Sequence, residues 1–226
     1  MSNIWFTSDT HGYHRNISGP KVSRWGGGYR DFDDEVQMTK HLLEQINKYV
    51  KEDDILYHLG DFTFGGIDKI WEFRKQIKCK NIHLILGNHD HHIEHNKRLP
   101  NCYYNLDDQI IVNDMSPDYY WTTVNAILLF SSVQYVKTVR FGNQSIFLSH
   151  YKHFIWEKSH HGRIHLYGHS HASAEHHIIG KSMDCGVDNA YCLLGEYRPF
   201  NLTEILDLMS KREILLVDHH NSKTNE

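Results

Sequence analysis

Residues 82–90 have the sequence Ile-His-Leu-Ile-Leu-Gly-Asn-His-Asp. A short apolar run that stops at a glycine is typical of a buried strand followed by a turn. Two earlier stretches are also predicted to be strands: Asn3–Ser8, with Asp9 directly after it, and Asp54–Leu59, with Gly60-Asp61 directly after it. Helical patterns separate these three strands, and this alternation predicts parallel pairing through crossover helices.

The two helices between these strands are amphipathic. We predict that Asp31 or Asp33 caps the first helix and that it ends near Val50. Its apolar residues recur at spacings of three, four and seven, which gives one apolar face: Phe32, Val36, Leu43, Ile46 and Val50. The second helix is expected over residues 67–78.

The second half of the sequence favours antiparallel strands. Residues 134–141 and 144–149 flank Gly142-Asn143, which suits a hairpin turn. Further strands are expected at 164–167 and 181–185, a helix capped by Asn201 at 202–211, and an edge strand at 214–217. Residues 101–132 are aromatic without clean periodicity, and we interpret them as an insertion or lid. Without a linker or an internal repeat, residues 1–226 are predicted to form a single α/β domain.

Composition limits the classes of function. There are 24 Lys and Arg residues against 28 Asp and Glu, a net charge of −4, which argues against broad electrostatic capture of nucleic acid. There is neither an apolar window long enough for a transmembrane helix nor a basic leader, so we expect no membrane association and a cytoplasmic location. The scattered cysteines are expected to be free thiols, and the glycine-rich stretch at 25–29 is expected to be a rim loop.

Histidine is over-represented, with 20 residues, and several histidines follow predicted strands together with carboxylates. Ligand-capable side chains at the carboxyl ends of strands converge on one crevice in an α/β sheet. Five such clusters occur in this sequence: Asp9-Thr10-His11, Gly60-Asp61, Gly87-Asn88-His89-Asp90, Ser149-His150 and Gly168-His169-Ser170-His171.

Seven of these side chains could bind a metal: Asp9, His11, Asp61, Asn88, His150, His169 and His171. Seven ligands are too many for one tetrahedral ion and suit two ions that share a carboxylate. Oxygen and nitrogen donors without thiolate favour Mn, Fe, Zn, Ni or Co. Two such ions at roughly 3.5–4 Å can clamp a phosphate oxygen.

The ordered set D-x-H, G-D, G-N-H-D, H and G-H-x-H resembles the calcineurin-like metallophosphoesterase superfamily. Ser8 to His11, Tyr57 to Phe62 and Gly186-Val187-Asp188 are similar to a compact prokaryotic and phage branch of it. The resemblance implies a four-layer α/β/β/α sandwich with two mixed sheets and a centre of two divalent transition-metal ions, with manganese preferred.

The resemblance also implies roles for individual residues. Asp9, His11 and His171 would hold the first ion, Asn88, His150 and His169 the second, and Asp61 would bridge them. A hydroxide between the ions would attack phosphorus. His89 would contact the phosphate and assist the leaving group, and Asp90 would orient His89.

The implied activity is hydrolysis of a small phosphodiester or phosphomonoester. The acidic balance favours a nucleotide-like substrate, and the retained His169 slightly favours a phosphodiesterase over a phosphatase. His14, Asn16 and Tyr151 lie near the motifs in sequence and are candidates for substrate contact. His58 is interpreted as a hydrogen-bonded core residue.

Two alternatives remain open from the sequence. A metal-dependent nuclease would need a basic patch, for which the local candidates are Lys69, Arg74, Lys75, Lys78 and Lys80. A non-catalytic binding module on the same scaffold is the other alternative, although such proteins usually lose ligands. The oligomeric state is not predicted.

Overall fold

The computed structural model describes residues 2–24, 30–105, 110–112 and 121–216. The helices are Arg15–Ser18 (α1), Glu35–Tyr49 (α2), Ile67–Arg74 (α3), His91–Glu94 (α4), Val187–Leu194 (α5) and Leu202–Ser210 (α6). The strands are Ile4–Thr7 (β1), Ile55–His58 (β2), Asn81–Ile85 (β3), Arg98–Asn105 (β4), Ile110–Val112 (β5), Trp121–Asn125 (β6), Ser132–Gln134 (β7), Val136–Phe141 (β8), Gln144–Ser149 (β9), Ile164–Tyr167 (β10), Ser182–Asp184 (β11) and Phe200–Asn201 (β12).

The first sheet has the strand order β12-β1-β2-β3-β7. Strands β1, β2, β3 and β7 are parallel, whereas β12 pairs antiparallel with β1. The parallel pairing predicted for the first three strands is therefore confirmed. Their carboxyl ends, where Ser8, Leu59 and Leu86 follow, lie at the same edge of this sheet.

The second sheet has the order β11-β10-β9-β8 and is also mixed. Strands β8 and β9 form the expected antiparallel hairpin, while β9, β10 and β11 are parallel. The prediction that Gln134 begins the hairpin strand is wrong, because Gln134 belongs to β7 and pairs with Ile85 of the first sheet. The sequence does not show where β7 of the first sheet ends and β8 of the second sheet begins, because strand-forming residues continue across the boundary.

Side chains alternate between two cores across the first sheet. Trp5 and Leu56 pack with helices α2 and α3, while Phe6 and Tyr57 face the second sheet. On the second sheet, Leu166 joins the same inter-sheet core. A helix layer, a sheet and a second sheet thus follow one another, which confirms an α/β fold with two mixed sheets.

The outer face of the second sheet is where the expected four-layer sandwich is not confirmed. His165 contacts Trp156, and the Tyr167 hydroxyl donates to Glu175. Both partners come from loops that contain the 3-10 turns Ser159–His161 and Ser173–His176. In the described ranges this face is covered by such loops, and a fourth layer of long helices stays a prediction.

The segment 101–132 contains regular structure. Strands β5, β4 and β6 form a separate antiparallel sheet, and β7 begins at the end of the segment. The expected insertion is thus a small sheet between β3 and β7. That it covers the site, and that residues 1–226 are one domain, stay predictions.

Several element boundaries differ from the predicted ones. Asp34, not Asp31 or Asp33, caps α2, because its carboxylate accepts from the backbone N–H of Val36 and Gln37. Val36 itself is 63% exposed, whereas Leu43, Ile46 and Val50 are buried as predicted, and Met38 and Leu42 are buried with them. Helix α3 ends at Arg74 rather than at residue 78.

The C-terminal helix confirms its predicted cap. The Asn201 side chain accepts from Glu204 N and the Glu204 carboxylate accepts from Asn201 N, a complete capping box. The edge strand predicted at 214–217 is wrong for residues 214–216, which are not in a strand, and residue 217 lies outside the described residues. The predicted rim loop at 25–29 also lies outside them. Within the described ranges, every helix is too short or too polar to cross a bilayer.

Candidate metal centre

The five motif clusters all follow strands, and both sheets contribute. Asp9 follows β1, Asp61 follows β2 and Asn88 follows β3 in the first sheet. His150 follows β9 and the pair His169 and His171 follows β10 in the second sheet. The candidate site therefore lies where the carboxyl ends of strands from two packed sheets meet.

The described residues contain three groups of side chains whose ligand atoms lie within 4.8 Å of one another and could hold a metal. Six of the seven predicted ligands occur in these groups, together with His89. The groups are Asp9–His11–His171, His11–Asp61–His89 and Asp61–His150–His169. The first and third groups have the composition that the resemblance implies for two separate ions.

Asp61 connects the groups. Its Oδ2 atom lies 3.3 Å from His11 Nε2 and 3.5 Å from His150 Nε2. Its Oδ1 atom accepts from the backbone N–H of His89 at 2.9 Å, which fixes the carboxylate in place. Asn88 is adjacent to the same cluster, with Oδ1 3.2 Å from His150 Nε2. One carboxylate oxygen thus lies between histidines of different groups.

The ring hydrogen bonds decide which nitrogen of each histidine faces the cluster. His150 Nδ1 lies 2.7 Å from the carbonyl of Leu59, and His171 Nδ1 lies 2.7 Å from Asp188 Oδ2. A carbonyl or a carboxylate can only accept, so the ring proton is on Nδ1. In a neutral ring the Nε2 atom then carries a lone pair, which is the form that binds a metal.

The donor set fits a bound cation. Asp61 Oδ2 lies near the Nε2 atoms of His11 and His150, and the Asn88 amide oxygen lies 3.2 Å from His150 Nε2. His11 Nε2 is buried and has no hydrogen-bond partner among the described residues. Burial lowers the pKa of His11 to about 3, so the ring is neutral near pH 7. Convergent buried acceptors without a donor are stabilised by a divalent ion.

The backbone at the site is held in an unusual conformation. Asp9, His11, Asp61, His169 and His171 all have a positive φ, between 46° and 66°. Such residues cost about 1–3 kcal/mol each and cluster at functional sites, where the surrounding structure maintains them. Five of the seven predicted ligands therefore carry a signature that the sequence did not reveal.

Two motif glycines leave room for these ligands. A Cβ atom on Gly60, whose φ is +99°, would lie 2.5 Å from His150 Nδ1. A Cβ atom on Gly87 would lie 2.3 Å from Asp61 Oδ1. Any larger residue at either position would displace a ligand side chain.

Arg30 and Asp188 support the first group, and the sequence analysis assigned neither of them a role. The Arg30 guanidinium is buried, bonds Asp188 through Nε and Nη2 at 2.8 and 2.9 Å, and donates to the carbonyls of Asp9 and Thr10. Burial alone would raise the pKa of Asp188, but the Arg30 charge and the hydrogen bond from His171 lower it. Asp188 stood out in the sequence only as part of the Gly186-Val187-Asp188 motif, and Arg30 lies 158 residues away from it along the chain.

The structure gives Asp90 a different position from the predicted one. Its carboxylate accepts from the backbone N–H groups of Asp61, Phe62 and Gly87 at 2.8 to 3.0 Å, and not from the His89 ring. Burial raises the pKa of Asp90 to about 7. Asp90 is therefore placed to hold the loop that carries Asp61 rather than to orient His89.

The His89 ring lies beside the first group. Its centroid is 5.2 Å from the His11 ring and 5.9 Å from the His14 ring. This places the imidazole at the edge of the cluster, within reach of a ligand bound there. Because His89 also appears in one of the metal-binding groups, its two alternatives are a ligand and a proton donor.

The three candidates for substrate contact fall into different places. Tyr151 is half exposed, and its hydroxyl lies 3.4 Å from Asn88 Oδ1. His14 is buried, with Nδ1 3.3 Å from His11 Nδ1, so it supports a ligand instead of facing solvent. The Asn16 side chain accepts from Arg24 N, outside the cluster. Of the three, Tyr151 has the placement expected of a substrate contact.

Sequence comparisons show partial similarity. The Gene 66 protein of Mycobacterium phage D29 is 34% identical over 95 residues, which cover 40% of this chain and 41% of that protein. An uncharacterized protein of Methanocaldococcus jannaschii is 35% identical over 92 residues, 40% of this chain and 48% of that protein. The match spans less than half the length of either relative. No family model matches the chain.

Structural comparison extends over most of the chain. A crystal structure of a protein of unknown function from Aquifex aeolicus has a TM-score of 0.58 and 22% identity, over 92% of this chain and all of that one. A predicted phosphoesterase from Streptococcus pneumoniae TIGR4 has 16% identity over 75% of this chain. Its TM-score of only 0.31 is too low to show a common fold. The chain is therefore similar in fold to the Aquifex aeolicus protein. Because that protein has no known function, the similarity does not indicate an activity for this chain.

Proposed function

We propose that this chain is a metal-dependent phosphohydrolase that cleaves a small phosphodiester or phosphomonoester, with a nucleotide-like substrate favoured. The observation that carries the proposal is the position of Asp61 Oδ2, 3.3 Å from His11 Nε2 and 3.5 Å from His150 Nε2. A carboxylate shared in this way suits two ions side by side. The ordered motifs, which resemble those of calcineurin-like metallophosphoesterases, support the same interpretation.

The ligand assignment belongs to this proposal. Asp9, His11 and His171 would hold one ion, and Asn88, His150 and His169 the other, with Asp61 shared. Two bound ions, with manganese preferred, would supply Lewis acidity to the phosphoryl group and activate the water that attacks phosphorus. Asp188 and the Leu59 carbonyl keep the Nδ1 proton on His171 and His150, so that the Nε2 atom of each ring would bind an ion.

His89 would complete the reaction. As the bond between phosphorus and the leaving oxygen breaks, that oxygen gains charge and needs a proton. A protonated imidazole at the edge of the cluster can donate it, and a general acid of this kind contributes roughly 10²–10⁴-fold. Tyr151, beside Asn88, would contact the phosphoryl group or the remainder of the substrate.

A small substrate is favoured over a nucleic acid. The cations named as a nuclease patch are largely engaged: Lys69 pairs with Glu72, Lys80 pairs with Glu52, and Arg74 donates to backbone carbonyls. The net charge is −4. A cytoplasmic location also remains part of the proposal.

The test is metal reconstitution followed by turnover. The protein is stripped with a chelator, dialysed and reloaded with Mn²⁺, and the bound metal is counted by mass spectrometry. Hydrolysis of bis(p-nitrophenyl) phosphate is compared with that of p-nitrophenyl phosphate, and a nucleotide panel follows. We expect about two ions per chain and chelator-sensitive hydrolysis.

Each alternative predicts another result. Full metal loading without hydrolysis of any phosphoester would favour a binding module. Salt-sensitive binding and cleavage of a nucleic acid would favour a nuclease. A folded chain that takes up no metal would contradict the proposal.

A further inference from the structure

Phe64 is an exposed aromatic residue beside the metal centre. It follows β2 by a few residues, and its ring is 40% exposed, whereas Phe62, two positions earlier, is fully buried under α3. Its backbone is fixed, because Phe64 N donates to the carbonyl of Gly12 at 2.8 Å. The ring is thus held at a defined place by the loop that carries His11.

The Phe64 ring contacts two histidines of the site. It stacks on His14 with a centroid distance of 3.8 Å and an interplanar angle of 6°. It lies 5.5 Å from the His89 ring at 61°. His14 in turn lies against His11, so the stack continues into the first ligand group.

This placement puts Phe64 on the leaving-group side. In the proposed function, His89 donates a proton to the leaving oxygen. Phe64 is the exposed aromatic residue whose ring lies beside His89. With one face on His14, the exposed part of the ring can accept a planar group. Stacking on an aromatic side chain suits every nucleobase and requires no specific hydrogen bond.

We propose that Phe64 stacks on the base of a nucleotide whose nucleoside is the leaving group, and that it thereby determines substrate class. This inference rests on the proposed function. Phe64 acts on binding, so its loss weakens recognition of the base.

The experiment compares two ligands that differ only in the base. A nucleoside 5′-monophosphate and ribose 5-phosphate are measured for Kd by calorimetry and for KM and kcat by phosphate release, with Mn²⁺. For the wild type we expect a preference of about 5- to 150-fold for the nucleotide, the range that stacking of one base supplies. In Phe64→Ala the preference, taken as the ratio between the two ligands, should fall toward one.

Two further variants control the comparison. Phe64→Leu keeps apolar volume without a planar ring and should lose most of the preference, which separates stacking from general hydrophobic contact. Phe154→Ala removes another exposed phenylalanine, 60% exposed, and should keep the preference. Equal melting temperatures establish that all variants fold.

The outcomes separate this inference from the proposed function. Hydrolysis of both ligands with no preference in the wild type, or an unchanged preference in Phe64→Ala, would overturn the role of Phe64 alone. A base preference in Kd that Phe64→Ala abolishes, without hydrolysis of either monoester, would support stacking and exclude a monoesterase. The wild-type assay with bis(p-nitrophenyl) phosphate would then decide whether the chain is a phosphohydrolase.

Discussion

His11 and His165 are two buried histidines with opposite surroundings. His11 follows β1 in the metal centre, and His165 lies in the middle of β10 on the outer face of the second sheet. Burial lowers the pKa of both to about 3. Both of the His165 ring nitrogens have protein partners, since Nε2 accepts from His153 N and Nδ1 contacts the carbonyl of Phe147. His11 Nε2 has none among the described residues.

The difference shows what distinguishes a ligand from a core residue. Burial and a lowered pKa are common to both, so neither identifies a metal site. His11 is set apart because its unpaired Nε2 atom lies 3.3 Å from the Asp61 carboxylate, in a group of possible metal ligands. An unpaired nitrogen alone is not sufficient, since His58 Nδ1 also has no partner among the described residues and belongs to none of these groups. A buried polar atom without a partner is costly, and a function that requires it explains why it is kept.

The largest expected effect is that of Asp61→Asn, which removes the shared carboxylate. We expect bound metal to fall below that of the wild type and kcat/KM to fall by more than the roughly 10²–10⁴-fold typical of a lost general acid. Metal counting and steady-state kinetics measure both. The control is Asp207→Asn, an exposed carboxylate on α6. Unchanged metal content and turnover in Asp61→Asn would show that Asp61 is not a shared metal ligand. His11 would then not differ from His165 as a ligand differs from a core residue.

His89→Ala should come next, with a loss of roughly 10²–10⁴-fold in kcat. A proton donor matters less when the leaving group is already a weak base, so the loss should be smaller for a nitrophenyl ester than for an alkyl ester. Metal content should stay at the wild-type level. If metal is lost instead, His89 is a ligand and not a proton donor.

Asp188→Asn should weaken metal binding by about 10- to 100-fold, as is typical when a carboxylate that orients a ligand histidine is removed. The amide keeps the volume but loses the charge that pairs with Arg30, and an NH2 donor replaces one of the two oxygens that accept from Arg30 and His171 Nδ1. Titration with Mn²⁺ against a competing chelator measures the affinity. Glu44→Gln, an exposed change on α2, serves as the control. Equal affinities in all three proteins would mean that Asp188 has a structural role only.

His165→Gln is expected to have the smallest effect on function. It should, however, change how the free energy of unfolding depends on pH. The folded pKa of about 3 lies below the unfolded value, so the unfolded chain binds more protons as the pH falls below about 6.5. The free energy of unfolding therefore decreases on acidification, by about 1.4 kcal/mol per pH unit from this residue. In His165→Gln that part of the slope should vanish.

Denaturant unfolding of the chelator-treated protein at pH 7, 6 and 5 measures the slope, with His95→Gln as an exposed control. Activity at neutral pH should stay close to that of the wild type. An unchanged slope in the variant would contradict this origin of the pH dependence, and a loss of metal would make His165 part of the metal centre.

Much of the fold followed from local pattern. The parallel strands β1 to β3, the hairpin at Gly142-Asn143 and the cap at Asn201 were predicted because apolar runs, turn residues and capping side chains act over a few residues. The errors fell where local pattern was ambiguous. Gln134 was assigned to the wrong strand, and Asp34 caps α2 although Asp31 and Asp33 lie within three residues of it.

The sequence by itself determined which ligand types stand at the ends of which strands. An apolar run that stops at a glycine marks a strand end, and the carboxyl ends of parallel strands share an edge. That is why Asp9, Asp61 and Asn88 could be grouped before any coordinates were known.

The tertiary structure alone decided how those ligands are held. Arg30 forms an ion pair with Asp188, and the Phe64 ring stacks on His14. Two ligand histidines each have their own ring-nitrogen partner, and three backbone N–H groups donate to the Asp90 carboxylate. Most of these contacts join residues that are distant in sequence. No periodicity encodes such contacts, because they depend on the packing of two sheets whose strands are distant along the chain.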